Sequence, residues 1–469
     1  MIPMPEISTV QIEQNFADIN PQMSRADALA EANRCLYCYD APCMHACPTH
    51  IDVPGFIKKI ASGNLTGSAR VIFDANPIGA TCARVCPVEV LCEGACVEKT
   101  LMNKPIEIGR LQRYATDHVT GHGKQLFSKG EANGRSIGVV GSGPAGISCA
   151  TYLARLGYDV TIYDSRALPG GLDTYGMAEY KMSQADSLRE IAQLEQLGVK
   201  FHLNTTITSA VHLAYSGTSD AELCGTQLTF SELAAQHDAI FVGVGLGKTR
   251  QLDIGGEGLR GVYDALRFIE LIKSRNWASV PVGKSVAVIG AGNTAIDAVT
   301  QAKRLGAEHA ILIYRRTELD APAYDYEIEL AKKDGTEFLW NTVPLRVMSN
   351  GNGSVSGLVC QRSDGEEFEL ACDVVIKAIG QNKMRSFFTD VCEIEIDELG
   401  RVIVDDLMQT SNPKVFAGGD CVNGGGEAVE AAQMGKLAAQ GMHQSLTDEI
   451  VQFAGASVPA VQPSGGHPH

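Results

Sequence analysis

The chain has 469 residues, enough for about three domains, and its hydrophobic (45%) and charged (20%) contents are ordinary for a globular protein. A net charge of −16 argues against nucleic acid and anionic membranes as partners, and no apolar run approaches the ~20 residues of a membrane span. The opening MIPMPEISTV lacks a basic start followed by an apolar core, so we expect no secretory signal and a cytoplasmic protein.

Eight of the fourteen cysteines lie in one segment, from Cys35 to Cys96, after a helix whose N-cap we place at Ser24. The first four have the spacing C-x2-C-x4-C-x3-C and the last four C-x3-C-x5-C-x3-C, and each group contains a Cys-Pro pair. A fold does not need cysteine at this density, so the segment needs a chemical explanation.

Three explanations compete for these cysteines. A disulfide framework suits short secreted chains, and structural zinc usually pairs two short Cys spacings across one gap. The Cys-Pro endings favour the third, iron–sulfur clusters, although the x4 spacing differs from the x2 of the bacterial ferredoxin run. Metal analysis separates zinc from iron, and a flavin-bearing scaffold with structural zinc remains a non-enzymatic alternative.

The first part of the chain carries helical spacing and no strand pattern before about residue 135. We therefore predict a mostly helical domain over residues 1–132, held together partly by its clusters. Its last residues belong to a Gly-rich polar linker over 121–134.

A strand, a glycine turn, a helix and a second strand follow the linker. The glycines Gly141, Gly143 and Gly146 form G-x-G-x-x-G after the apolar strand IGVV, and Asp164 ends the next strand. These glycines allow a tight turn, close approach to a pyrophosphate and close helix packing, while the acid suits a ribose hydroxyl. This context predicts a dinucleotide-binding unit.

The same unit recurs with Gly290, Gly292 and Ala295 after the strand VAVI. Two such units predict two dinucleotides, a bound flavin and a diffusing nicotinamide. Arg315 and Arg316 stand where the second unit would carry its acid, which favours a 2′-phosphate; the alternative is two surface arginines at a strand end.

Later strands end at Gly380 and at Gly418-Gly419-Asp420, and a helix with small residues on one face follows. A strand that returns this late suggests that the second unit interrupts the first. We therefore predict an α/β protein with a flavin domain over 133–280 and 381–450, a nicotinamide domain over 281–380 inserted in it, and a disordered tail over 451–469.

The motif order resembles a known family. Two cysteine groups, GSGPAG, PGGLDTYGMAEYKM, GAGNTAID, YRRTELDAPAYDYEIELAKKDG and VFAGGD resemble the flavin subunit of bacterial dihydropyrimidine dehydrogenase and, more distantly, the glutamate synthase small subunit. The resemblance covers roughly residues 24–445, and DAPCMHACPTHIDVPGFI looks like the dihydropyrimidine branch.

The resemblance implies two four-iron four-sulfur clusters. One would be held by Cys35, Cys38, Cys43 and Cys96, and the other by Cys47, Cys86, Cys92 and Gln112. Spacing alone suggests all eight cysteines as ligands, whereas the resemblance leaves Cys82 spare. A neutral glutamine ligand should raise the cluster potential because it removes a negative charge.

The resemblance also implies the remaining cofactor contacts. FAD would be held by Gly141, Gly143, Pro144, Ala145, Gly146, Asp164, Gly171, Leu172, Lys181, Gly419, Asp420 and the helix starting near Ala428. The nicotinamide coenzyme would be held by Gly290, Gly292, Asn293, Thr294, Arg315, Arg316, Ala378, Ile379 and Gly380. Bacterial pyrimidine enzymes of this kind are described as NADH-dependent, so Tyr-Arg-Arg departs from the family and leaves the coenzyme open.

We expect an electron-input subunit. A nicotinamide donates two electrons, a cluster accepts one at a time, and a flavin does both, which gives the order NAD(P)H, FAD, clusters. The partner implied by the resemblance carries FMN and iron–sulfur clusters and reduces uracil or thymine. We expect it to be a separate subunit, because no length remains after the two nucleotide domains for a pyrimidine-reducing domain. The alternative is the small subunit of glutamate synthase or a ferredoxin-linked NAD(P)H oxidoreductase.

Overall fold

A computed structural model describes residues 7–209 and 225–455. The part of the predicted tail from residue 456 onward and Cys224 lie outside these ranges. Residues 451–455 pack on the protein, with Phe453 4.4 Å from the ring of Tyr152 and the carbonyl oxygen of Ala454 accepting from Lys436 Nζ at 3.0 Å.

The N-terminal region is helical, as predicted. Ser24 accepts a hydrogen bond from the Asp27 amide and begins the helix into the first cysteines, which confirms its N-cap role. The helices are α1 (Thr9–Asn15), α2 (Arg25–Arg34), α3 (Pro42–His45), α4 (Val53–Ala61), α5 (Leu65–Ala75), α6 (Gly79–Val85), α7 (Val97–Met102) and α8 (Ile108–Thr120).

The first helix belongs by its contacts to the distant nicotinamide domain. Ile12 and Phe16 are buried there, and the Phe16 ring lies 5.1 Å from that of Trp277. α1 therefore precedes the cysteine-rich region in the chain but packs on the second dinucleotide unit. The short polar sequence of α1 does not predict this contact.

The flavin domain is a five-stranded parallel sheet in the order β15-β6-β1-β2-β3. Its strands and helices are β1 (Ser136–Val140), α9 (Pro144–Arg155), β2 (Asp159–Tyr163), α10 (Leu172–Tyr175), α11 (Gln184–Gln196), β3 (Lys200–His202), α12 (Phe230–Gln236), β6 (Ala239–Val242), β15 (Val415–Ala417), α16 (Asp420–Asn423) and α17 (Ala428–Thr447). A small parallel pair, β4 (Thr205–Thr208) and β5 (Thr226–Thr229), lies beside it. Since β15 pairs with β6, the late strand completes the first sheet and confirms the predicted insertion.

The inserted domain has a parallel sheet in the order β10-β9-β8-β14-β7 and a three-stranded antiparallel sheet. Its elements are β7 (Val262–Asp264), α13 (Ala265–Lys273), β8 (Ser285–Ile289), α14 (Asn293–Arg304), β9 (His309–Ile313), α15 (Asp325–Lys333), β10 (Glu337–Leu339), β11 (Thr342–Ser349), β12 (Val355–Arg362), β13 (Glu367–Ala371) and β14 (Val374–Lys377). Because β7 is hydrogen-bonded to β14, the second sheet begins before the boundary expected at residue 281.

Candidate cofactor and electron-transfer sites

The first glycine turn forms an open cradle at the N-terminus of α9. Gly141 has φ +96°, and a Cβ there would lie 2.4 Å from the Gly243 carbonyl oxygen. A Cβ at Gly146 would lie 2.0 Å from the Gly141 carbonyl oxygen, whereas one at Gly143 would meet no atom within 4 Å. Backbone thus closes the turn on one side and leaves it open on the other, where the free N–H groups that follow Pro144 in the first turn of α9 can receive a pyrophosphate. These residues fit FAD.

Asp164 lies at the end of β2 beside this turn. Its carboxylate accepts from the Ser142 amide at 2.8 Å, the Ser142 hydroxyl at 2.5 Å and the Arg166 amide at 2.9 Å. A carboxylate has about four acceptor positions, so capacity for a ribose hydroxyl remains. The hydrogen bonds to Ser142 hold the acid against the turn.

Two further predicted flavin segments converge on the same place. A Cβ at Gly171 would lie 2.8 Å from the Gly143 Cα, which puts the start of α10, with Leu172, against the turn. Gly419 has φ +81°, and a Cβ added there would lie 3.2 Å from the Ala145 Cβ, which puts Gly419 against the start of α9.

The helix that begins at Ala428 packs along α9, since Ser148 Oγ donates to the Ala432 carbonyl at 2.6 Å. Burial raises the pKa of Asp420, although its hydrogen bond from the Gly426 amide at 3.2 Å opposes the shift. The N-terminal ends of α9 and α17 therefore meet beside Asp420, in the place predicted for the flavin.

Lys181 occupies a different environment from the other predicted flavin residues. Its ammonium lies 2.7 Å from Asp297 and 2.5 Å from Glu327, both in the inserted domain. Burial lowers the pKa of Lys181, but the two carboxylates outweigh burial and the net shift is upward. In this structure Lys181 joins the two dinucleotide domains.

The second glycine turn repeats the first. Gly290 has φ +129°, and a Cβ there would lie 2.2 Å from the Ala378 carbonyl oxygen, which brings the segment Ala378–Gly380 against the turn. At Gly292 the nearest atom to a Cβ would be 4.0 Å away, so the start of α14, which carries Asn293 and Thr294, is open to a phosphate. These residues fit a nicotinamide dinucleotide.

Arg315 and Arg316 follow β9 after one intervening residue, at the same edge of the sheet as the turn, and both are exposed. Their position at the carboxyl end of the second strand of the unit is where a 2′-phosphate would be contacted.

A contact near this turn links it to the flavin site. Tyr324 donates its amide to Asn293 Oδ1 at 3.1 Å and its hydroxyl to Glu427 Oε1 at 2.8 Å. Glu427 is the N-cap of α17. The nicotinamide turn and the flavin helix are thus joined through one side chain.

Four predicted ligands of the first cluster line one cavity with apolar walls that include Val53 and Ile57. Within the described residues, no three metal-ligating side chains converge as they would on a single ion, so the thiols are spaced around the cavity. Burial, then Cys96, Cys35 and Cys38, raise the pKa of the Cys43 thiol to about 12. A cationic iron–sulfur core would stabilise the thiolate forms of these neighbouring cysteines. The four thiols therefore fit an iron–sulfur cluster. These ligands are Cys35, Cys38, Cys43 and Cys96.

The second group collects at α6. The hydrogen bond with Cys82, then burial, then Cys47 and Cys92 raise the pKa of Cys86 well above its ordinary value. The structure therefore places Cys82, expected to be spare, among the predicted ligands. All described cysteines are free thiols, so the disulfide framework is absent from residues 7–209 and 225–455.

Gln112 lies against α6, the helix of the second group. Its Nε2 donates to the Gly79 carbonyl at 2.7 Å, which orients the amide so that Oε1 is the atom left for a metal. Asn76 Nδ2 donates to Cys82 Sγ at 3.2 Å. Cys82 is thus within the group, and Gln112 lies against α6, the helix that carries Cys82.

Two buried carboxyls between α6 and the flavin loop were missed by the sequence reasoning. Glu190 accepts from the Ala80 amide at 2.6 Å and from the Thr81 amide and hydroxyl at 3.1 and 2.6 Å. Burial raises the pKa of Glu190 to about 7. Asp173 is 1% exposed, and neither carboxyl oxygen has a hydrogen-bond partner. Both acids lie on helices whose sequence gives no signal of burial.

Among residues 7–209 and 225–455, no helix has the length and apolar character needed to span a bilayer.

Two family models match the chain. Residues 12–124 match dihydropyrimidine dehydrogenase domain II, 4Fe-4S cluster, and residues 135–435 match pyridine nucleotide-disulphide oxidoreductase. The first match identifies the cysteine-rich region as an iron–sulfur domain rather than a zinc domain.

Two curated relatives are similar over nearly the whole chain. The glutamate synthase [NADPH] small chain of Escherichia coli K12 is 32% identical over 459 residues, covering 91% of this chain and 93% of the relative. The NAD-dependent dihydropyrimidine dehydrogenase subunit PreT of the same organism is 33% identical over 436 residues, covering 92% and 98%. The expectation that glutamate synthase is the more distant relative is not reflected in these identities.

Solved structures share the fold. Thioredoxin reductase of T. acidophilum has a TM-score of 0.51 at 20% identity, covering 66% of this chain and 99% of that one. FprA of Mycobacterium tuberculosis in complex with NADPH has a TM-score of 0.51 at 17% identity, covering 68% and 87%. The two nucleotide domains therefore have the arrangement of these reductases.

Proposed function

Since this chain belongs to the pyridine nucleotide-disulphide oxidoreductase family, among the NAD(P)H-dependent flavin and iron–sulfur subunits that include glutamate synthase small chains and PreT, we propose that it is the electron-input subunit of a dihydropyrimidine dehydrogenase. It takes hydride from NAD(P)H onto FAD and passes electrons through two four-iron four-sulfur clusters. A partner subunit then reduces uracil or thymine to the 5,6-dihydropyrimidine.

One observation carries this proposal: the flavin domain contacts both the nicotinamide domain and the helix beside the second cysteine group. On one side, Tyr324 of the inserted domain bonds to Glu427 at the start of the flavin helix. On the other, Glu190 of the flavin domain bonds to Thr81 in α6, between the flavin loop and the second cysteine group. These contacts bring the flavin site next to both other sites, as a carrier that accepts hydride and gives up single electrons requires.

The chain's own residues position the flavin. The Gly143 turn receives the pyrophosphate, Asp164 the ribose, and Gly419 and Asp420 the chain that leads to the ring. Bound there, FAD supplies the conversion of a two-electron hydride into single electrons. The N-terminus of Ala428–Thr447 stabilises negative charge at the ring through its free amides.

The two cysteine groups hold one cluster each. We assign Cys35, Cys38, Cys43 and Cys96 to the first, which lies toward solvent. We assign Cys47, Cys86, Cys92 and Gln112 to the second, which lies toward the flavin domain. The orientation of the Gln112 amide by Gly79 supports its place in the second set.

The coenzyme is NADPH under this assignment, because Arg315 and Arg316 are both exposed at the carboxyl end of β9. This choice departs from the printed name of PreT, which is NAD-dependent, and agrees with that of the glutamate synthase small chain, which is NADPH. The arginine pair therefore favours a second candidate, the small subunit of a glutamate synthase.

The first test is anaerobic purification with iron, sulfide, zinc and FAD measured together, followed by titration with NADPH and NADH. We expect about eight irons and one FAD per chain, and we expect NADPH to bleach the flavin absorbance. A value of about four irons per chain would refute the second cluster. Zinc without labile sulfide would refute the assignment of iron–sulfur clusters altogether.

The partner is tested by reconstitution with an FMN- and iron–sulfur-containing pyrimidine-reducing subunit. NADPH-dependent uracil reduction by the mixture, but by neither protein alone, is the expected result. Glutamate formation from 2-oxoglutarate and glutamine with a glutamate synthase large chain would instead establish the second candidate.

A further inference from the structure

A buried lysine of the flavin domain lies against the second cysteine group. Lys436 is 0% exposed, and its ammonium donates to the carbonyl oxygens of Thr49 and Ala454, each at 3.0 Å. Thr49 is also fully buried, and its hydroxyl oxygen lies 3.4 Å from the Cys47 sulfur. One buried residue therefore separates the cation from a thiol that we assign to the second cluster.

Lys436 differs from the other buried lysines in having no carboxylate partner. Lys273 pairs with Glu179 at 3.4 Å, and Lys377 pairs with Glu257 at 3.3 Å. Both hydrogen bonds of Lys436 go to backbone carbonyls, and no carboxylate in the part of the chain that the structure describes forms an ion pair with it. Lysine is almost never fully buried unless it is paired, because burying a lone charge is costly. The cation therefore needs a counter-charge from another source.

The charges near this ammonium point to the cysteine group. Burial lowers the pKa of Lys436 to about 7, and the larger of two negative charges that oppose the shift is the Cys47 thiolate. The other is Asp74, whose carboxylate is already paired with Arg155 at 2.5 Å. A metal-bound cysteine is deprotonated, so a cluster ligated by Cys47 would supply the missing negative charge.

The helix that carries Lys436 runs from the flavin site to this cysteine group. Its first residue, Ala428, lies at the place that we assign to the flavin ring, and Lys436 follows eight residues later. At 1.5 Å per residue, the two positions are about 12 Å apart along the helix axis. One rigid element thus connects the flavin site with the cation beside Cys47.

The last described residues of the chain cover the cation. The Phe453 ring lies 4.4 Å from the Tyr152 ring, and the Lys436 ammonium lies 5.9 Å from the centre of the same tyrosine ring. Gln440 Nε2 donates to the Val451 carbonyl at 3.1 Å, which holds this segment on α17. Water is excluded from the ammonium, so its charge acts on nearby groups with little screening.

We propose that Lys436 is the counter-cation of the second cluster and raises its reduction potential, so that the cluster accepts an electron from the flavin. The inference rests on the proposed electron-input function and adds a residue that tunes one of its carriers. In this step the reduced flavin loses one electron and the cluster gains it, which adds one negative charge beside the cation. The ammonium keeps its proton, and no bond to it forms or breaks.

The test compares four variants of the cofactor-loaded full-length chain. Lys436→Met and Lys436→Gln remove the charge at similar side-chain length, and Lys436→Arg keeps it. The matched control is Lys414→Met, because the Lys414 ammonium also donates to a backbone carbonyl, that of Ala234. Lys414 precedes β15, whereas the flavin residues Gly419 and Asp420 follow it, so the control lies at the other end of the sheet.

The measurement is the reduction potential of each cluster. Each chain is titrated with titanium(III) citrate in the presence of mediators and followed by electron paramagnetic resonance. The signal of the second cluster is identified as the one that Cys86→Ala removes. Iron, sulfide and FAD contents are measured on the same samples, because a packing defect would change the contents rather than one potential.

We expect both neutral variants to shift the second cluster toward its oxidised form by a factor of about ten, which is a fall of about 59 mV for one electron. The potential of the first cluster should change less. Lys436→Arg and Lys414→Met should match the wild type. Iron and FAD contents, and the reduction of the flavin by NADPH, should stay unchanged in all four variants.

Equal second-cluster potentials in the wild type and both neutral variants would overturn the role of Lys436 and leave the proposed function standing. Loss of the second cluster from all three Lys436 variants would show a packing role and also overturn it. Loss from the neutral variants alone, with retention in Lys436→Arg, would support the role, since the site would then need the cation to hold its cluster. A wild-type chain without a second cluster would refute the proposed two-cluster function and this inference together.

Discussion

Lys181 of the flavin domain holds its ammonium 2.7 Å from the Asp297 carboxylate of the inserted domain, a buried ion pair that joins the two dinucleotide units. Glu327 lies 2.5 Å from the same ammonium, and the Tyr180 hydroxyl donates to Asp297 at 3.0 Å. One cation is therefore shared by two buried carboxylates at the boundary between domains.

Replacing Lys181 with alanine should leave Asp297 and Glu327 buried without a cation. Removing one partner of a buried pair costs about 3–5 kcal/mol, so we expect a large drop in the denaturant midpoint. The control is Lys332→Ala, which removes exposed pairs with Glu318 and Glu329 and should cost ~0–1 kcal/mol. Equal losses for the two variants would show that the interdomain pair has no special role.

Gly143→Ala and Gly146→Ala should separate cofactor binding from folding. A Cβ at Gly146 would lie 2.0 Å from a backbone oxygen, so that variant should unfold or lose the turn. A Cβ at Gly143 meets no protein atom, and φ is −69°, so that variant should fold and yet bind little FAD. Flavin content and circular dichroism check both. Full FAD occupancy in Gly143→Ala would place the pyrophosphate elsewhere.

Gln112→Ala and Cys82→Ala test the fourth ligand of the second cluster. If the Gln112 amide ligates iron, its loss should lower iron from about eight to about four per chain and remove one electron paramagnetic resonance signal. Cys82→Ala should keep all the iron. The opposite pattern would assign the ligand position to Cys82, which hydrogen-bonds to Cys86.

Changing Arg315 and Arg316 together to alanine should weaken NADPH selectively. Loss of charge-assisted contacts to a 2′-phosphate corresponds to about 2–3 kcal/mol, or a 30- to 150-fold rise in KM for NADPH, with little change for NADH. Arg362→Ala, at an exposed arginine of β12, is the control. An equal loss for both coenzymes would refute a 2′-phosphate site at these residues.

Asp173→Asn should stabilise the protein, and more so as the pH rises. Burial, then the negative charge of Glu190, raises the pKa of Asp173 well above 3.8 in the folded chain. Stability therefore falls as pH rises from about 3.9, where the unfolded chain ionises, toward the folded value, and asparagine removes this loss. We expect no gain at pH 4 and about 1–3 kcal/mol at pH 8 by thermal unfolding. A gain that is independent of pH would show that ionisation is not its cause.

The glycine turns and the helical cysteine region could be predicted because their signals are local. A strand, three spaced glycines and a helix lie within one short segment, as at Gly141 and Gly290. The start of the inserted domain was placed too late because β7 has only three residues and pairs with Val374–Lys377, far along the chain. No local pattern marks such a strand.

The buried acids Asp173 and Glu190 escaped prediction for a different reason. A carboxylate within a helix is usually solvated, and only packing of α11 on α6 encloses Glu190 and provides its three donors. Lys181 was expected at the flavin, yet its pairing with Asp297 depends on how the two domains meet. Such contacts are set by tertiary structure rather than by sequence spacing.

The pairing of β15 with β6 sets an order of events during synthesis. The strands of the inserted domain, from Val262 to Lys377, are contiguous and can assemble as they leave the ribosome, since domains generally fold as units. The flavin sheet must wait for Val415–Ala417 and for the helix Ala428–Thr447. A chain that stops before Val415 thus lacks both the last strand of the flavin sheet and the Gly419–Asp420 side of the cradle.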